Sequence, residues 1–261
     1  MTTIDLVEKY QPYLYNLALR LVYAKEDAQD LCQDVWVKIF NSLDKFEEKA
    51  DFKTWSYKIM MNHFLNEKRK YTELNFDNFE QTVEKLGVEK LSNEYDEPEK
   101  KLLINEAKVG CMMGMLLCLD KEQRAVLVMG DVFEIPSTIA AGIFEVSAEN
   151  FRKKLSRARK DLYSYMNDHC GLVNKSNKCR CEHKTQAMIN EGYVDANNLL
   201  FSKEKQVSLK SKLQLKTSHL DTTMQEIYKK LYQEHGFYET NEKEFASTIL
   251  KNEEIKEIFH F

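Results

Sequence analysis

Three cysteines and a histidine stand close together near residue 180, in the pattern C-x8-C-x-C-x-H. The residues are Cys170, Cys179, Cys181 and His183, with His169 as a spare ligand. Three thiolates and one imidazole can complete the tetrahedral coordination of a zinc ion. Thiolates also bind copper(I), and spacing alone does not choose between the two metals. The alternatives are a redox switch, because thiolates that release zinc can oxidise, and three thiols with no ligand.

A basic amphipathic pattern precedes these cysteines, over residues 147–162. Between 147 and 160 lie six basic side chains and one acidic side chain, Glu149. A helix that is buried on one side and basic on the other can lie in the DNA major groove. A solvated surface helix is the alternative. Apolar residues at helical spacing predict the buried stripe, and they are Phe151, Leu155, Ala158 and Leu162.

Aromatic and basic residues are interspersed over residues 52–71. Basic groups follow phosphates, and aromatic rings can stack on unpaired bases, which is how proteins hold single strands. The amide of Asn62 can pair with a base edge. We expect Trp55 to be a core residue that fixes the helix. The residues predicted to contact DNA are Lys58, Asn62, Asn66, Lys68 and Arg69.

The elements that position these residues are predicted to be helices, because the 261-residue chain has only three prolines and eight glycines. Periodic stripes, such as Ala28, Leu31, Cys32, Val35 and Ile39, predict helices over 4–70. Residues 72–106 carry ten acidic and four basic side chains. Within this stretch, residues 72–100 lack the helical spacing of apolar residues, which predicts a linker. Helical pattern resumes at Glu99. Further stripes, Met224–Tyr232 and Phe245–Phe259, predict helices in the tail.

Two short helices joined by a tight turn are predicted over 136–162, and this is the pattern of a helix-turn-helix. The first runs from Pro136 to Phe144, and the second is the basic helix with Ser147 as its N-cap. Glu145 and Val146 form the connection. The pattern therefore favours a DNA-binding role for the basic helix over a plain surface helix.

No targeting or membrane-spanning segment is predicted. The N-terminus is acidic and lacks an apolar signal core, and the longest apolar run, 109–119, is too short to cross a bilayer. Six cysteines in a chain of this length do not indicate a secreted disulfide scaffold. Cys32, Cys111 and Cys118 lie in apolar helical patterns and are predicted to be inert core residues. These features predict a cytoplasmic protein.

The order of the motifs resembles that of the group-4, or extracytoplasmic-function, sigma factors of the sigma-70 family. The stretches DAQDLCQDVW and FKTWSYKI resemble sigma region 2, and LSRARKDL resembles sigma region 4. The resemblance implies an all-α protein. It implies region 2 over 1–71, a flexible acidic linker over 72–100 and region 4 over 101–168. Certain members of this family also carry a segment like CGLVNxxNxCRC before a helical extension, so 169–261 is predicted to be regulatory.

The resemblance implies a protein without enzymatic activity of its own, which binds core RNA polymerase and directs it to promoters. Asp30, Gln33 and Asp34 would dock on the clamp helices of the beta-prime subunit, and region 4 on the beta flap. Residues 52–71 would read and open the −10 element. The sequence leaves open whether an anti-sigma factor is a further partner. The residues that would read the −35 element are Ser147, Glu149, Asn150, Arg152, Lys153, Ser156 and Arg157.

The sequence departs from the commoner family pattern in and after the first helix of the helix-turn-helix. Ile139 replaces an acidic residue, Ala140 replaces a larger aliphatic residue, and Gly142 adds flexibility. Glu145 stands where many helix-turn-helix turns carry glycine. These differences are expected to affect the stability of the helix-turn-helix.

Two other classes of function would each account for part of the sequence. A stand-alone helix-turn-helix regulator with a metal- or redox-sensing tail would bind duplex DNA without polymerase, but it has no use for the aromatic and basic residues of 52–71. A zinc-dependent nucleic-acid enzyme needs a glutamate beside a metal-bound water. Glu182 lies between two predicted ligands, but the H-x-E…C-x-x-C deaminase pattern is absent from the sequence.

Overall fold

The computed structural model describes residues 3–46, 51–68, 71–95, 97–197 and 199. Within these residues the regular structure is helical and contains no β-strand, so the predicted all-α class is confirmed. Arg69 and the predicted tail helices lie outside the described residues. The helices are α1 Thr3–Val22, α2 Lys25–Phe40, α3 Phe52–Asn66, α4 Phe76–Lys85, α5 Glu97–Leu117, α6 Lys121–Leu127, α7 Ser137–Ile143, α8 Ala148–His169 and α9 Cys181–Asn190.

The described residues divide into two compact units. The first contains residues 3–46, 51–68, 71–72 and 121–156, and the second contains 73–95, 97–120, 157–197 and 199. Region 2 and the helix-turn-helix therefore share one compact unit. The four-part division drawn from the sequence stays a prediction.

The first unit has α1, α2 and α3 packed on one another, together with α6 and α7. The predicted stripe of α2, which includes Leu31, Val35 and Ile39, is fully buried, as its helical spacing requires. Trp36 is also fully buried, and its indole Nε1 donates a hydrogen bond of 2.5 Å to Oε1 of Gln11 on α1. The α1–α2 pair is thus fixed by apolar burial and by one buried polar contact.

Two basic side chains join α6 to the region 2 helices. Arg124 is fully buried, and its guanidinium donates to the carbonyl oxygen of Leu21 at 2.5 Å, near the end of α1. The ammonium group of Lys121 donates to the carbonyl oxygen of Glu67 at 3.2 Å and lies over the Phe64 ring at 5.7 Å. These contacts hold α6 against the ends of α1 and α3.

The second unit is built around α5. Leu103 and Ala107 of α5 share a buried cluster with Ala187 and Met188 of α9, to which Leu86 and Val194 also belong. Phe76 of α4 stacks on Tyr165 of α8, with ring centroids 4.7 Å apart.

The segment predicted to be a linker contains α4 and is partly folded into the second unit. Its backbone runs beside α9, because the Glu89 amide donates to the His183 carbonyl oxygen at 3.0 Å. The Ser92 amide donates to Oε1 of Gln186 at 2.9 Å. Leu86 is buried. The loss of helical period over 72–100 therefore does not mean that the whole segment lacks structure.

Among the described residues, no helix is both long enough and apolar enough to cross a lipid bilayer.

Candidate DNA-binding surfaces and cysteine loop

The helix-turn-helix predicted from the sequence is present as α7, a short turn and α8. Ser147 caps α8, because its Oγ accepts a hydrogen bond of 3.1 Å from the Asn150 amide. The rings of Phe144 and Phe151 pack with centroids 5.5 Å apart and join the turn to α8. Glu145 has a φ of 55°, in the left-handed region where glycine is favoured. Glutamate therefore replaces the usual glycine at a position where the backbone conformation is strained for a residue with a Cβ.

Helix α8 has the predicted buried stripe and the predicted exposed basic face. Phe151, Leu155, Ala158 and Leu162 are buried. Arg152 donates to the Ser137 hydroxyl at 3.2 Å, and the Lys153 ammonium lies 2.7 Å from the Glu149 carboxylate. The helix runs seven residues beyond the predicted end, to His169. All predicted −35 residues are exposed, namely Ser147, Glu149, Asn150, Arg152, Lys153, Ser156 and Arg157.

Helix α3 is anchored by aromatic rings near both of its ends. Trp55 is half-buried, and its ring centroid lies 5.1 Å from that of Phe46 and 5.6 Å from that of Phe52. Phe64 is fully buried and stacks on Tyr71 at 5.8 Å. Trp55 is thus half-buried rather than a full core residue, and its ring contacts help to anchor α3.

The described −10 candidates are solvent-accessible to different degrees. Lys58 and Asn62 are half-buried, and Asn66 and Lys68 are exposed. The Asn66 side chain donates to the Asn62 carbonyl oxygen at 2.8 Å. The Lys58 ammonium lies 3.0 Å from the Glu145 carboxylate, so a predicted −10 residue contacts the turn of the helix-turn-helix. The Lys58 and Glu145 side chains are 41% and 68% exposed, and such a solvent-accessible pair stabilises the fold only weakly.

The polar face predicted on α2 is also present. Asp30 and Asp34 are exposed and Gln33 is half-buried. His63 Nε2 lies 3.3 Å from the Asp34 carboxylate and 3.5 Å from the Glu67 carboxylate. Within the described residues this is the one group of three metal-binding side chains whose ligand atoms all lie within 4.8 Å of one another. The His63 side chain is only 11% exposed, and its position between two carboxylates is adequately explained by hydrogen bonding.

The loop between α8 and α9, residues 170–180, is held by its own side chains, and we call it the cysteine loop. Gly171 approaches Cys179 so closely that a Cβ at Gly171 would collide with the Cys179 carbonyl oxygen. The side-chain amide of Asn177 donates to the Asn167 carbonyl oxygen at 2.8 Å and to the Cys170 carbonyl oxygen at 3.3 Å. The non-cysteine residues of the motif therefore fix the loop.

Arg180 adds a second set of ties within the cysteine loop. Its guanidinium donates to the carbonyl oxygens of Asn177 at 2.5 Å, Cys179 at 2.8 Å and Lys175 at 2.7 Å. Asn174 donates to the Asn167 carbonyl oxygen at 3.0 Å. The ends of the loop are thereby brought together without a disulfide bond.

The predicted metal ligands are placed unequally. Cys170, Cys179 and Cys181 are half-buried, whereas His183 is exposed and its Nε2 lies 3.6 Å from the Glu182 carboxylate. The spare ligand His169 instead stacks on Tyr165 at 4.5 Å and lies 3.1 Å from the Glu80 carboxylate. The predicted set of three cysteines and His183 stays a prediction.

Of the three cysteines predicted to be inert core residues, Cys111 and Cys118 are half-buried. The Cys118 thiol donates to the Gly114 carbonyl oxygen at 3.4 Å. Cys32 is fully buried, as predicted.

Comparison with known proteins gives a consistent result. Residues 6–73 match the family described as Sigma-70 region 2. The chain is 23% identical over 166 residues to the ECF RNA polymerase sigma factor SigE of Mycolicibacterium smegmatis, a match covering 63% of this chain and 62% of SigE. It is 28% identical over 162 residues to the RNA polymerase sigma factor YlaC of Bacillus subtilis, covering 62% of this chain and 90% of YlaC.

Among solved structures, the sigma factor RpoE from Bartonella quintana, crystallised with the anti-sigma factor NepR, is similar at a TM-score of 0.39 and 20% identity. The likeness covers 63% of this chain and 94% of that chain.

A helix-turn-helix together with an aromatic and basic helix such as α3 is typical of helical nucleic-acid-binding proteins. The region 2 match and the extracytoplasmic-function relatives make it a member of the sigma-70 family, in the extracytoplasmic-function group. The predicted family is thereby confirmed, while the role of the cysteine-rich extension stays a prediction.

Proposed function

We propose that this protein binds core RNA polymerase and directs it to start transcription at specific promoters. The observation that carries the proposal is the combination of region 2 and a helix-turn-helix with an exposed basic face in one chain. The polymerase supplies the chemistry of RNA synthesis, and this protein supplies promoter recognition and strand opening.

Each surface has a role that its chemistry supports. The exposed half of α8 presents guanidinium, ammonium, hydroxyl and amide groups, which read base edges and phosphates in the major groove. The polar and basic residues of α3 suit a single strand whose bases are unstacked. The exposed carboxylates of α2 suit a basic partner surface on the polymerase.

Reconstitution tests this proposal directly. Purified full-length protein is mixed with core RNA polymerase and genomic DNA fragments, and the transcripts are sequenced to locate their start sites. We expect initiation at a defined set of sites that core polymerase alone does not use. A protein that neither binds core nor directs initiation would contradict the proposal, and DNA binding without core binding would favour a stand-alone regulator.

The contribution of α8 can be measured with a matched pair of variants on that helix. We expect Arg152→Ala to weaken binding of the −35 element by about 1–3 kcal/mol, or roughly 5- to 150-fold, if its guanidinium reads a base. Lys160→Ala is the control, because Lys160 is exposed on the same helix but lies outside the predicted contact set. Equal losses in both variants would show a nonspecific charge effect instead.

The contribution of α2 is tested in the same way by binding to core polymerase. We expect Asp30→Asn to weaken core binding by up to about fivefold, equivalent to about 1 kcal/mol for an exposed charge, and to reduce its salt dependence. Glu26→Gln removes an exposed charge from the first turn of the same helix and should leave core affinity unchanged. A loss confined to Glu26→Gln would place the interface elsewhere.

A further inference from the structure

We propose that helix α9 is a latch that holds linker residues 83–95 against helix α5, and that the latch must release them before the protein can engage both elements of a promoter. All parts of the latch belong to the second compact unit. The inference rests on the proposed function, because only a promoter-bound protein has to separate region 2 from the helix-turn-helix. The contact itself can be measured on the protein alone.

Polar side chains of α9 hold the linker at the end of α4 and just beyond it. The Lys184 ammonium donates to the carbonyl oxygen of Val83 at 3.0 Å and to that of Leu86. Both carbonyls lie at the C-terminal end of α4, where the last carbonyl groups have no partner within the helix and a positive charge is favoured. The Asn190 side chain donates to the Glu89 carboxylate at 3.0 Å. Helix α9 therefore supplies the C-terminal cap of α4.

The backbone of the linker also depends on α9 for its hydrogen bonds. The Glu89 amide donates to the His183 carbonyl oxygen. The Ser92 amide donates to Gln186, whose side chain is in turn hydrogen-bonded to that of Asn190 at 3.0 Å. Both amides lie outside the helices of the linker, and an irregular segment has to satisfy its backbone groups on a neighbouring element. Here that element is α9.

Apolar side chains complete the latch. Leu86 shares a buried cluster with Ala107 of α5 and Ala187 of α9. Leu91 and Tyr95 of the linker are partly buried against the same cluster. The linker, α5 and α9 therefore form one core. Because burial of apolar surface favours the packed state, the linker cannot leave α5 without a cost in free energy.

The packed linker keeps the two ends of its segment close together. The Leu74 amide donates to the Leu117 carbonyl oxygen at 3.1 Å. Residues 72–73 and 118–120 lie outside this hydrogen bond, and together they extend to at most about 18 Å. The −10 and −35 elements are roughly 25 base pairs, or about 85 Å, apart. Most of that distance therefore has to come from the segment between region 2 and α6.

Release of the latch supplies the required length. Helices α4 and α5, joined by residues 86–96, reach about 85 Å when laid end to end, at about 1.5 Å per helical and about 3.5 Å per extended residue. Both helices can remain intact. Helix α9 opposes this extension, because it contacts the linker and α5 at the same time. The C-terminal extension thus controls how far the two DNA-binding surfaces can separate.

Energy transfer between the linker and α9 tests the release. Dyes are placed on non-natural amino acids at Lys85 and Glu191, both exposed, in the full-length protein. We expect high transfer in the free protein and a clear fall in its complex with core polymerase and promoter DNA. Dyes at Lys178 and Glu191, on either side of α9, are the control and should show constant transfer.

The outcomes separate the latch from the proposed function. Unchanged transfer between Lys85 and Glu191 in a complex that initiates transcription would overturn the latch and leave the proposed function intact. Low transfer in the free protein would also overturn the latch. A protein that binds no core polymerase would overturn the proposed function, and the role of the latch with it.

A variant of the latch should increase promoter binding, which damage to the fold would not do. Hydrogen bonds from a charged donor are strong, so we expect Lys184→Ala to speed hydrogen exchange of the Glu89 amide by at least about tenfold. The affinity of the polymerase complex for a promoter should rise by up to the same factor, because a smaller fraction of the protein is held closed.

Glu182→Ala is the matched control. Glu182 is exposed in the first turn of the same helix, and its carboxylate lies 3.6 Å from the His183 imidazole. This variant should leave both the exchange rate and the promoter affinity unchanged. Faster exchange in Lys184→Ala without a gain in promoter affinity would overturn the latch, and so would equal gains in the two variants. The dye experiment stands independently of either substitution.

Discussion

At the scale of single residues, Glu145 in the turn of the helix-turn-helix has a backbone conformation that is unfavourable for a residue with a side chain. Glu145 has a φ of 55°, and a left-handed conformation costs a residue with a Cβ about 1–2 kcal/mol. The turn is held by the Val146 amide, which donates to the Ala141 carbonyl oxygen at 3.0 Å. Glycine would adopt this conformation without the steric cost, which explains its frequency at such turns.

We expect Glu145→Gly to raise the free energy of unfolding by about 0.5–1 kcal/mol, since relief of strain exceeds the entropy lost by glycine. Urea denaturation measures the change. Glu145→Ala is the matched control, because it removes the same carboxylate next to Lys58 but keeps a Cβ. Equal stabilisation by alanine and glycine would show that the carboxylate, not the backbone, is responsible.

Gly142 of the helix-turn-helix can be replaced by alanine. Gly142 lies inside α7, and a Cβ there would meet no atom within 4 Å. We expect Gly142→Ala to stabilise the protein by about 0.5–1 kcal/mol, because alanine has the higher helix propensity. Gly114→Ala should do the opposite, since its Cβ would lie 2.5 Å from the Phe79 ring. Thermal unfolding of both variants compares the two, and a loss of stability in Gly142→Ala would contradict the expectation.

At the scale of the element, the start of α3 is defined by one carboxylate. Asp51 accepts hydrogen bonds from the Thr54 amide at 3.0 Å and from the Thr54 hydroxyl at 2.7 Å. Partial burial alone would raise the pKa of Asp51, but these hydrogen bonds outweigh it and lower the pKa below the usual value. A helix that presents predicted −10 residues thus begins with a charged N-cap.

We expect Asp51→Ala to lower the free energy of unfolding at pH 7 by about 0.5–2 kcal/mol, and Asp51→Asn by less, because asparagine also caps helices. The folded-state pKa is depressed, so the carboxylate's extra stabilisation is present above its unfolded pKa of about 3.9. It is lost as the pH falls through the folded-state value. Chemical denaturation at pH 7 and in acid measures this, and a stability difference from Asp51→Asn that does not change with pH would contradict it.

At the scale of the whole molecule, the first unit holds the two predicted DNA-binding surfaces against each other. The Lys58 ammonium of α3 lies 3.0 Å from the Glu145 carboxylate, and the Tyr57 and Phe133 rings pack at 5.6 Å. The −10 and −35 elements are named for positions roughly 25 base pairs apart, or about 85 Å of B-form DNA at about 3.4 Å each. Both surfaces cannot occupy these elements while this contact persists.

We therefore expect the first unit to open when the polymerase binds a promoter. Energy transfer between dyes on non-natural amino acids at Asn41 and Thr138, both exposed, should fall on formation of the complex. Dyes at Asn41 and Glu8, both within region 2, serve as the control and should show constant transfer. Unchanged transfer between Asn41 and Thr138 in an active complex would contradict the expected opening.

Much of the local structure could be predicted from the sequence, because a helix buries residues at fixed spacing. The stripes of α2 and α8 are buried as their period requires. The helix-turn-helix and its Ser147 cap follow from the same short-range rules. The position of α4 beside Tyr165 could not be predicted in this way, since an irregular acidic segment does not indicate which helix it packs on.

By itself the sequence determined the helical class, the sigma-70 family, the basic face of α8 and the three cysteines that share one short motif. Only the tertiary structure decided that α9 packs on α5 and that Glu145 contacts Lys58. The physical reason is the separation along the sequence over which each kind of interaction acts. Helix period and capping act within a few residues, whereas these two neighbourhoods arise from side-chain packing between elements far apart along the chain.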